Sequence, residues 1–186
     1  MLGKILDRLE EIIIASLMAA ATLLIFVAVV HRYGSGLSFL YPYLRHIDLG
    51  WAQEICIYMF VWMAKFGAAY GVRTGIHVGV DVLVNRLSEA HRRPLILFAL
   101  FCGALFTFII GTLGANFVYH MAQTDQVSAD LEVPMWIVYL AVPLGSYLMC
   151  FRFLQVIWTF ARTGELPVHD HAQVEGIEVP HTEAAR

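Results

Sequence analysis

Four long apolar stretches separated by polar segments set the organisation of this chain. They run over residues 12–30, 51–72, 95–118 and 135–158. A bilayer core about 30 Å thick takes about 20 mostly apolar residues in a helix, so each stretch is long enough to cross it. A backbone in lipid must satisfy its own hydrogen bonds, which predicts helices and an all-α fold. Lys4 and Arg8 give the first stretch a basic lead. Its apolar run exceeds the roughly 7–15 residues of a signal-peptide core and ends at His31-Arg32 without a small-residue cleavage motif, so it is expected to stay as a helix.

The polar connections predict the orientation. Lys4 and Arg8 precede the first span, Arg73, Arg86, Arg92 and Arg93 lie around the second connection, and Arg162 follows the last span. The first connection holds only Arg32 and Arg45, and the third has no basic residue but carries Asp125, Asp130 and Glu132. Lys and Arg mark cytoplasmic loops, so both termini are expected inside and connections one and three outside. Trp51 and Trp136 then fall at the outer ends of spans two and four and Trp158 at an inner end, the positions of an interfacial aromatic belt. Pro134 precedes span four, and Pro143 inside it is expected to kink it.

The second connection has a pattern of its own. Val80, Leu83, Val84 and Leu87 recur at i, i+3, i+4 and i+7, with Asp81, Asn85 and Ser88 between them. That spacing predicts an amphipathic helix lying on the inner membrane surface, ended by Arg92, Arg93 and Pro94. Residues 1–162 therefore read as one four-helix membrane domain. Residues 163–186, polar and mildly acidic with Pro167 and Pro180, read as a disordered cytoplasmic tail. His169 and His171 in it are expected to be solvated.

Composition agrees with a membrane protein. The chain has 186 residues, 59% of them hydrophobic, and a mean hydropathy of +0.68, too apolar for a domain whose outside meets water. A formal net charge of −3 does not suit a nucleic-acid partner. Cys56, Cys102 and Cys150 fall singly in three apolar runs. No C-x-x-C pair supports a zinc or thiol-redox site, so all three are expected to be small buried apolar residues.

Helices in lipid associate through close approach of small residues. Gly103, Thr107, Gly111 and Ala115 repeat every four residues on span three, and Gly67 and Gly71 form a G-x-x-x-G at the end of span two. Both ladders are expected to pack against a neighbouring helix of this chain or of another.

Charges inside the spans are the candidates for function. Glu54 and Lys65, eleven residues apart, share one face of span two with Tyr58, about 16 Å apart in rise. Two readings stand equally, a helix or subunit contact and snorkelling to the nearer surface, with a proton relay behind them. Arg152, near the inner end of span four, is expected to snorkel. Arg73, His77 and Asp81 recur every four residues and line one face if the helix continues, either for a partner or lipid contact or as a solvated helix-entry turn. His31 and His120 at the outer ends of spans one and three are the only pair that suggests a haem-bearing respiratory anchor, although no His occupies the middle of a span. No nucleophile triad, phosphate loop or H-E-x-x-H is present, so the chain is not expected to be an enzyme, to hold a metal or to use a cofactor.

The wording of spans two and four is more specific. Span two opens Trp51-Ala52-Gln53-Glu54 and closes Gly67-Ala68-Ala69-Tyr70-Gly71-Val72-Arg73, followed by Gly75, His77, Val80 and Asp81. Span four is preceded by Val133-Pro134 and holds Pro143-Leu144-Gly145. Over most of its length the chain resembles the small permease subunit of tripartite ATP-independent periplasmic (TRAP) transporters, the DctQ-like family. It departs from the pattern at Gln53, where a second Glu is common, and in a longer first connection. The resemblance implies a multi-pass protein of the bacterial inner membrane. Its implied partners are a large permease subunit, a periplasmic substrate-binding protein and membrane lipid. It further implies a non-catalytic scaffold in the ion-gradient-driven, sodium-coupled import of an organic acid, with C4-dicarboxylates the nearest class. The respiratory anchor is the alternative from another class, and a thiol–quinone redox enzyme is disfavoured for want of an outer-loop cysteine pair.

Overall fold

The structure, a computed structural model, describes residues 2–74 and 89–164. The amphipathic segment expected over Val80–Leu87, His77 and Asp81, and nearly all of the expected tail lie outside the described residues. Six helices are present among them: α1 (Leu2–Ser35), α2 (Tyr41–Leu44), α3 (Gly50–Thr74), α4 (Glu89–Met121), α5 (Met135–Tyr139) and α6 (Ala141–Thr163). Four segments are long and apolar enough to span a membrane, Asp7–Ser35, Gly50–Thr74, Arg92–Met121 and Met135–Thr163. Each includes the corresponding stretch read from the sequence and extends it, because a helix continues past its apolar run as long as polar residues can reach the interface.

Two prolines behave differently from one another. The fourth span is interrupted at Leu140, between α5 and α6. Pro143 has no N–H, so the carbonyl of Tyr139 lacks its donor four residues on, while Leu140 keeps helical dihedrals of −55° and −25° and the span runs on. Pro94 was expected to close a helix. Instead α4 starts at Glu89 and runs through it, with Arg92 and Arg93 in its first turns. Pro94 is the sixth residue of α4, so the Ala90 carbonyl loses its helical donor, a single bond in the first turns that does not stop the helix. The last helix ends at Gly164, whose positive φ of 73° lets its amide reach the carbonyl of Phe160 at 2.8 Å.

The spans stand in a row. α1 packs on α3, α3 on α6, and α6 on α4. Each contact depends on a small residue. Ala21 of α1 meets Cys56 of α3, whose thiol lies 3.7 Å from the Ala21 carbonyl, and Ala21, Cys56 and Ala52 are all nearly inaccessible. Between α3 and α6, a Cβ on Gly145 would stand 2.5 Å from the Cβ of Lys65. Between α4 and α6, the Phe153 ring lies over Gly103, the Tyr147 ring over Gly111, and Val142 against Gly114, where added Cβ atoms would stand 2.8 to 3.0 Å away. Thr107 is buried on the same face of α4 and satisfies its hydroxyl on the Gly103 carbonyl at 2.9 Å. The core that results joins Val72, Ile96, Leu100, Ala104, Phe153, Val156 and Phe160 towards the inner end.

A row leaves both of its faces open. Leu23, Phe26, Phe98, Phe106 and Leu113 are exposed, a surface suited to lipid rather than water. Cys102 is exposed among them and not buried as expected. Gly67 and Gly71 have nothing within 4 Å of a built Cβ, so this ladder meets no neighbour within the described residues.

Candidate functional site

Polar side chains gather at two levels. The inner cluster is built from three helices. The first turns of α1 place Asp7, Glu10 and Glu11 at i, i+3 and i+4, on one face. The end of α3 supplies Arg73 and the middle of α6 supplies Arg152. Arg152 is fully buried. Its Nε donates to Glu10 Oε1 at 3.0 Å, and its Nη1 to Gln155 Oε1 at 2.8 Å. Its Nη2 stands 2.8 Å from both Asp7 Oδ1 and Glu10 Oε2. Arg73 approaches Asp7 Oδ1 at 3.0 Å and donates to Glu11 Oε1 at 2.7 Å. Two guanidiniums thus face three carboxylates.

The depth of this cluster explains its composition. Trp136 and Trp158, 22 residues apart, are separated by about 33 Å of helix rise, close to the thickness of a bilayer core. Arg152 lies six residues, about 9 Å, inside the Trp158 level. A lone guanidinium there would have to snorkel. Its stem instead turns into the α1–α3–α6 junction, where carboxylates are already placed, so the snorkelling expected for Arg152 does not occur. Trp158 itself is exposed and carries Arg162 over its ring at 4.5 Å, an interfacial arrangement. Asp7, Glu10 and Glu11 were missed because they precede the apolar run. Their i, i+3, i+4 spacing was the available signal.

The outer cluster is centred on Glu54. The Tyr58 hydroxyl, one turn along α3, donates to Glu54 Oε1. Oε2 accepts the backbone amides of Asp130 and Leu131 at 2.9 and 3.0 Å. These amides belong to the turn joining α4 to α5, which closes on itself through Ser128 N to the Val133 carbonyl, Val133 N to Ser128 Oγ, and Met135 N to the Gln126 carbonyl. Glu132 in that turn adopts a φ of 55°, unusual for a residue other than glycine. One carboxylate on α3 therefore fixes the third connection, which presents Asp125, Asp130 and Glu132. Ser128, buried beneath the turn, was not singled out in the sequence.

Lys65 lies between the two clusters. Its stem packs on Gly145 of α6, and its ammonium has no hydrogen bond or ion pair among the described residues. Arg73, eight residues further along α3, is about 12 Å away in rise and is engaged with α1. The structure thus joins Glu54 to Tyr58 and separates both from Lys65 and Arg73. His31 donates from Nε2 to the Leu44 carbonyl at 3.1 Å, and His120 sits on α4. α1 and α4 are the two ends of the row, so the paired-histidine geometry of a haem anchor is not formed.

Comparison with known proteins agrees with this architecture. The family described as "Tripartite ATP-independent periplasmic transporters, DctQ component" matches residues 21–163. The C4-dicarboxylate TRAP transporter small permease protein DctQ of Rhodobacter capsulatus is 60% identical over 195 aligned positions, covering 94% of this chain and 86% of that protein. The protein of the same description from Vibrio cholerae serotype O1 is 31% identical, covering 95% and 82%. The chain is a multi-pass protein of the inner membrane and a transporter component rather than an enzyme, working with other TRAP components. Four apolar spans, the span-two wording around Glu54 and Arg73 and these matches lead to one conclusion: the chain belongs to the DctQ family of TRAP transporter small permease subunits.

Proposed function

We propose that the chain is the non-transporting scaffold of an importer of organic acids, with C4-dicarboxylates such as succinate, malate and fumarate as the substrate class. The large permease subunit carries the substrate, the import is coupled to a sodium gradient, and a periplasmic binding protein delivers the anion. The observation that carries this reading is the row of spans. Among the described residues each span meets its neighbours in the order α1, α3, α6, α4, and large apolar side chains such as Leu23, Phe26, Phe98 and Phe106 stay exposed along them, which suits a wall that widens a partner and not a conduit for a dianion. Two features favour a partner on this wall. The exposed Gly67 and Gly71 leave α3 open to close approach by another helix. The Lys65 ammonium, without a partner among the described residues, gains from a carboxylate that lipid does not supply. At the outer surface, the turn that Glu54 holds in shape is the candidate contact for the binding protein. The substrate class follows that of the 60% identical relative from Rhodobacter capsulatus, a C4-dicarboxylate TRAP transporter protein.

Reconstitution in liposomes tests the reading. With a sodium gradient, the binding protein and labelled succinate, uptake is expected only when both this chain and the large subunit are present. Replacing sodium by potassium outside the vesicle is expected to stop it. Uptake by this chain without the large subunit overturns the scaffold role.

A further inference from the structure

The end of α1 and the connection from it to α3 carry large side chains that nothing among the described residues covers. Tyr33, Phe39 and Tyr43 are 77%, 80% and 76% exposed, and Leu37, Tyr41 and Ile47 are at least half exposed. We propose that this outer connection is an interfacial anchor lying in the headgroup region of the outer leaflet, with its aromatic side chains towards the acyl boundary and its arginines on lipid phosphates.

Four observations lead there. First, the segment is folded rather than loose. Leu40 and Tyr41 bond to the Leu37 carbonyl, Tyr43 and Leu44 to Leu40, Arg45 to Tyr41 and Ile47 to Leu44, all near 3 Å. Backbone amides satisfied within the segment tolerate a region poor in water. Second, it is seated on the end of α1. His31 holds the Leu44 carbonyl, and Leu44 Cδ1 would stand 2.9 Å from a Cβ on Gly34, a close approach of the segment to the end of α1. Third, its surface continues the lipid-facing surface of α1, where Val29 and Val30 are exposed just inside it, and α1 is the edge of the row. Tyr and Trp favour this level because ring and polar tip are both accommodated. Fourth, the charges complement a phosphate layer. Arg32 and Arg45 are exposed, and the single acid, Asp48, is occupied by the amide of Gly50 at 2.9 Å. The other outer connection has the opposite character, three acids and no basic residue. The two outer connections therefore divide the surface, one bound to the membrane and one facing water.

The test uses the full chain with Cys56, Cys102 and Cys150 replaced by alanine, reconstituted in vesicles of phosphatidylethanolamine and phosphatidylglycerol. Single spin labels are placed at Phe39→Cys and Tyr43→Cys, with Asp125→Cys as the water-facing reference. The two side chains touch little, so the label does not disturb the fold. Collision with oxygen and with a soluble nickel chelate reports depth. Labels at 39 and 43 are expected to be several-fold less open to the chelate and more open to oxygen than the label at 125. Equal access to the chelate at all three sites overturns the proposal. So does shielding at 39 and 43 that arises only after the purified periplasmic binding protein is added, since the surface would then be a protein contact. Neither outcome depends on transport, so the scaffold reading is tested separately.

Discussion

Replacing Arg152 by methionine is the sharpest perturbation of the inner cluster. The variant keeps most of the stem volume and deletes the guanidinium that Glu10 and Asp7 share at 2.8 to 3.0 Å. Glu10, only 2% exposed, is left with Arg73 at 3.9 Å as its remaining cation. Breaking a buried pair by removing one partner costs about 3–5 kcal/mol, mostly the penalty of the charge left behind. At about 1.4 kcal/mol per tenfold, that is a hundredfold to a few thousandfold in the unfolding equilibrium. Unfolding of the purified chain in mixed micelles, titrated with denaturing detergent, measures it. The double variant Arg152→Met with Glu10→Leu removes both charges and is expected to be more stable than Arg152→Met alone, a coupling that a double-mutant cycle isolates. An Arg152→Met chain within about 0.5 kcal/mol of the parent, the range of ordinary surface changes, would refute the cluster and return Arg152 to the lipid surface.

Other consequences follow from the same geometry. Glu54→Ala leaves the amides of Asp130 and Leu131 without their acceptor; amide exchange in residues 126–133 is expected to quicken while the middle of α4 is unchanged, and unchanged exchange in that turn would remove Glu54 from its support. Gly103→Leu and Gly145→Leu should destabilise the isolated chain through collision with Phe153 and Lys65, whereas Gly67→Leu and Gly71→Leu should leave it intact and lower the yield of complex with the large subunit. Equal effects of all four on the isolated chain would contradict the open face of α3. Lys65→Met keeps the stem against Gly145 and removes the charge, so the isolated chain should unfold as the parent does while complex yield falls; normal yield would make Lys65 a snorkelling residue.

Some of this was legible in the chain and some was not, for physical reasons. The four spans could be read because a bilayer imposes length and hydropathy directly. Gly103 and Gly111 could be read because close approach needs small residues at a helical period, and Glu54 and Tyr58 because four residues make one turn. The order of the row could not. A helix apolar all round tells nothing of which side meets protein, so Gly67 and Gly103 carry the same signal although one is open and the other covered. The inner cluster was hidden by distance, since Glu10 and Arg152 are 142 residues apart. It was also hidden by position, because Asp7 and Glu10 read as flanking residues of a span that in fact begins among them.

The central claim is that this chain supports transport without performing it. The most direct measurement is initial uptake of labelled succinate into sodium-gradient liposomes holding this chain alone, the large subunit alone, or both, with the binding protein outside. The account predicts uptake only in vesicles that hold both. Uptake by this chain alone, or undiminished uptake by the large subunit alone, would contradict it.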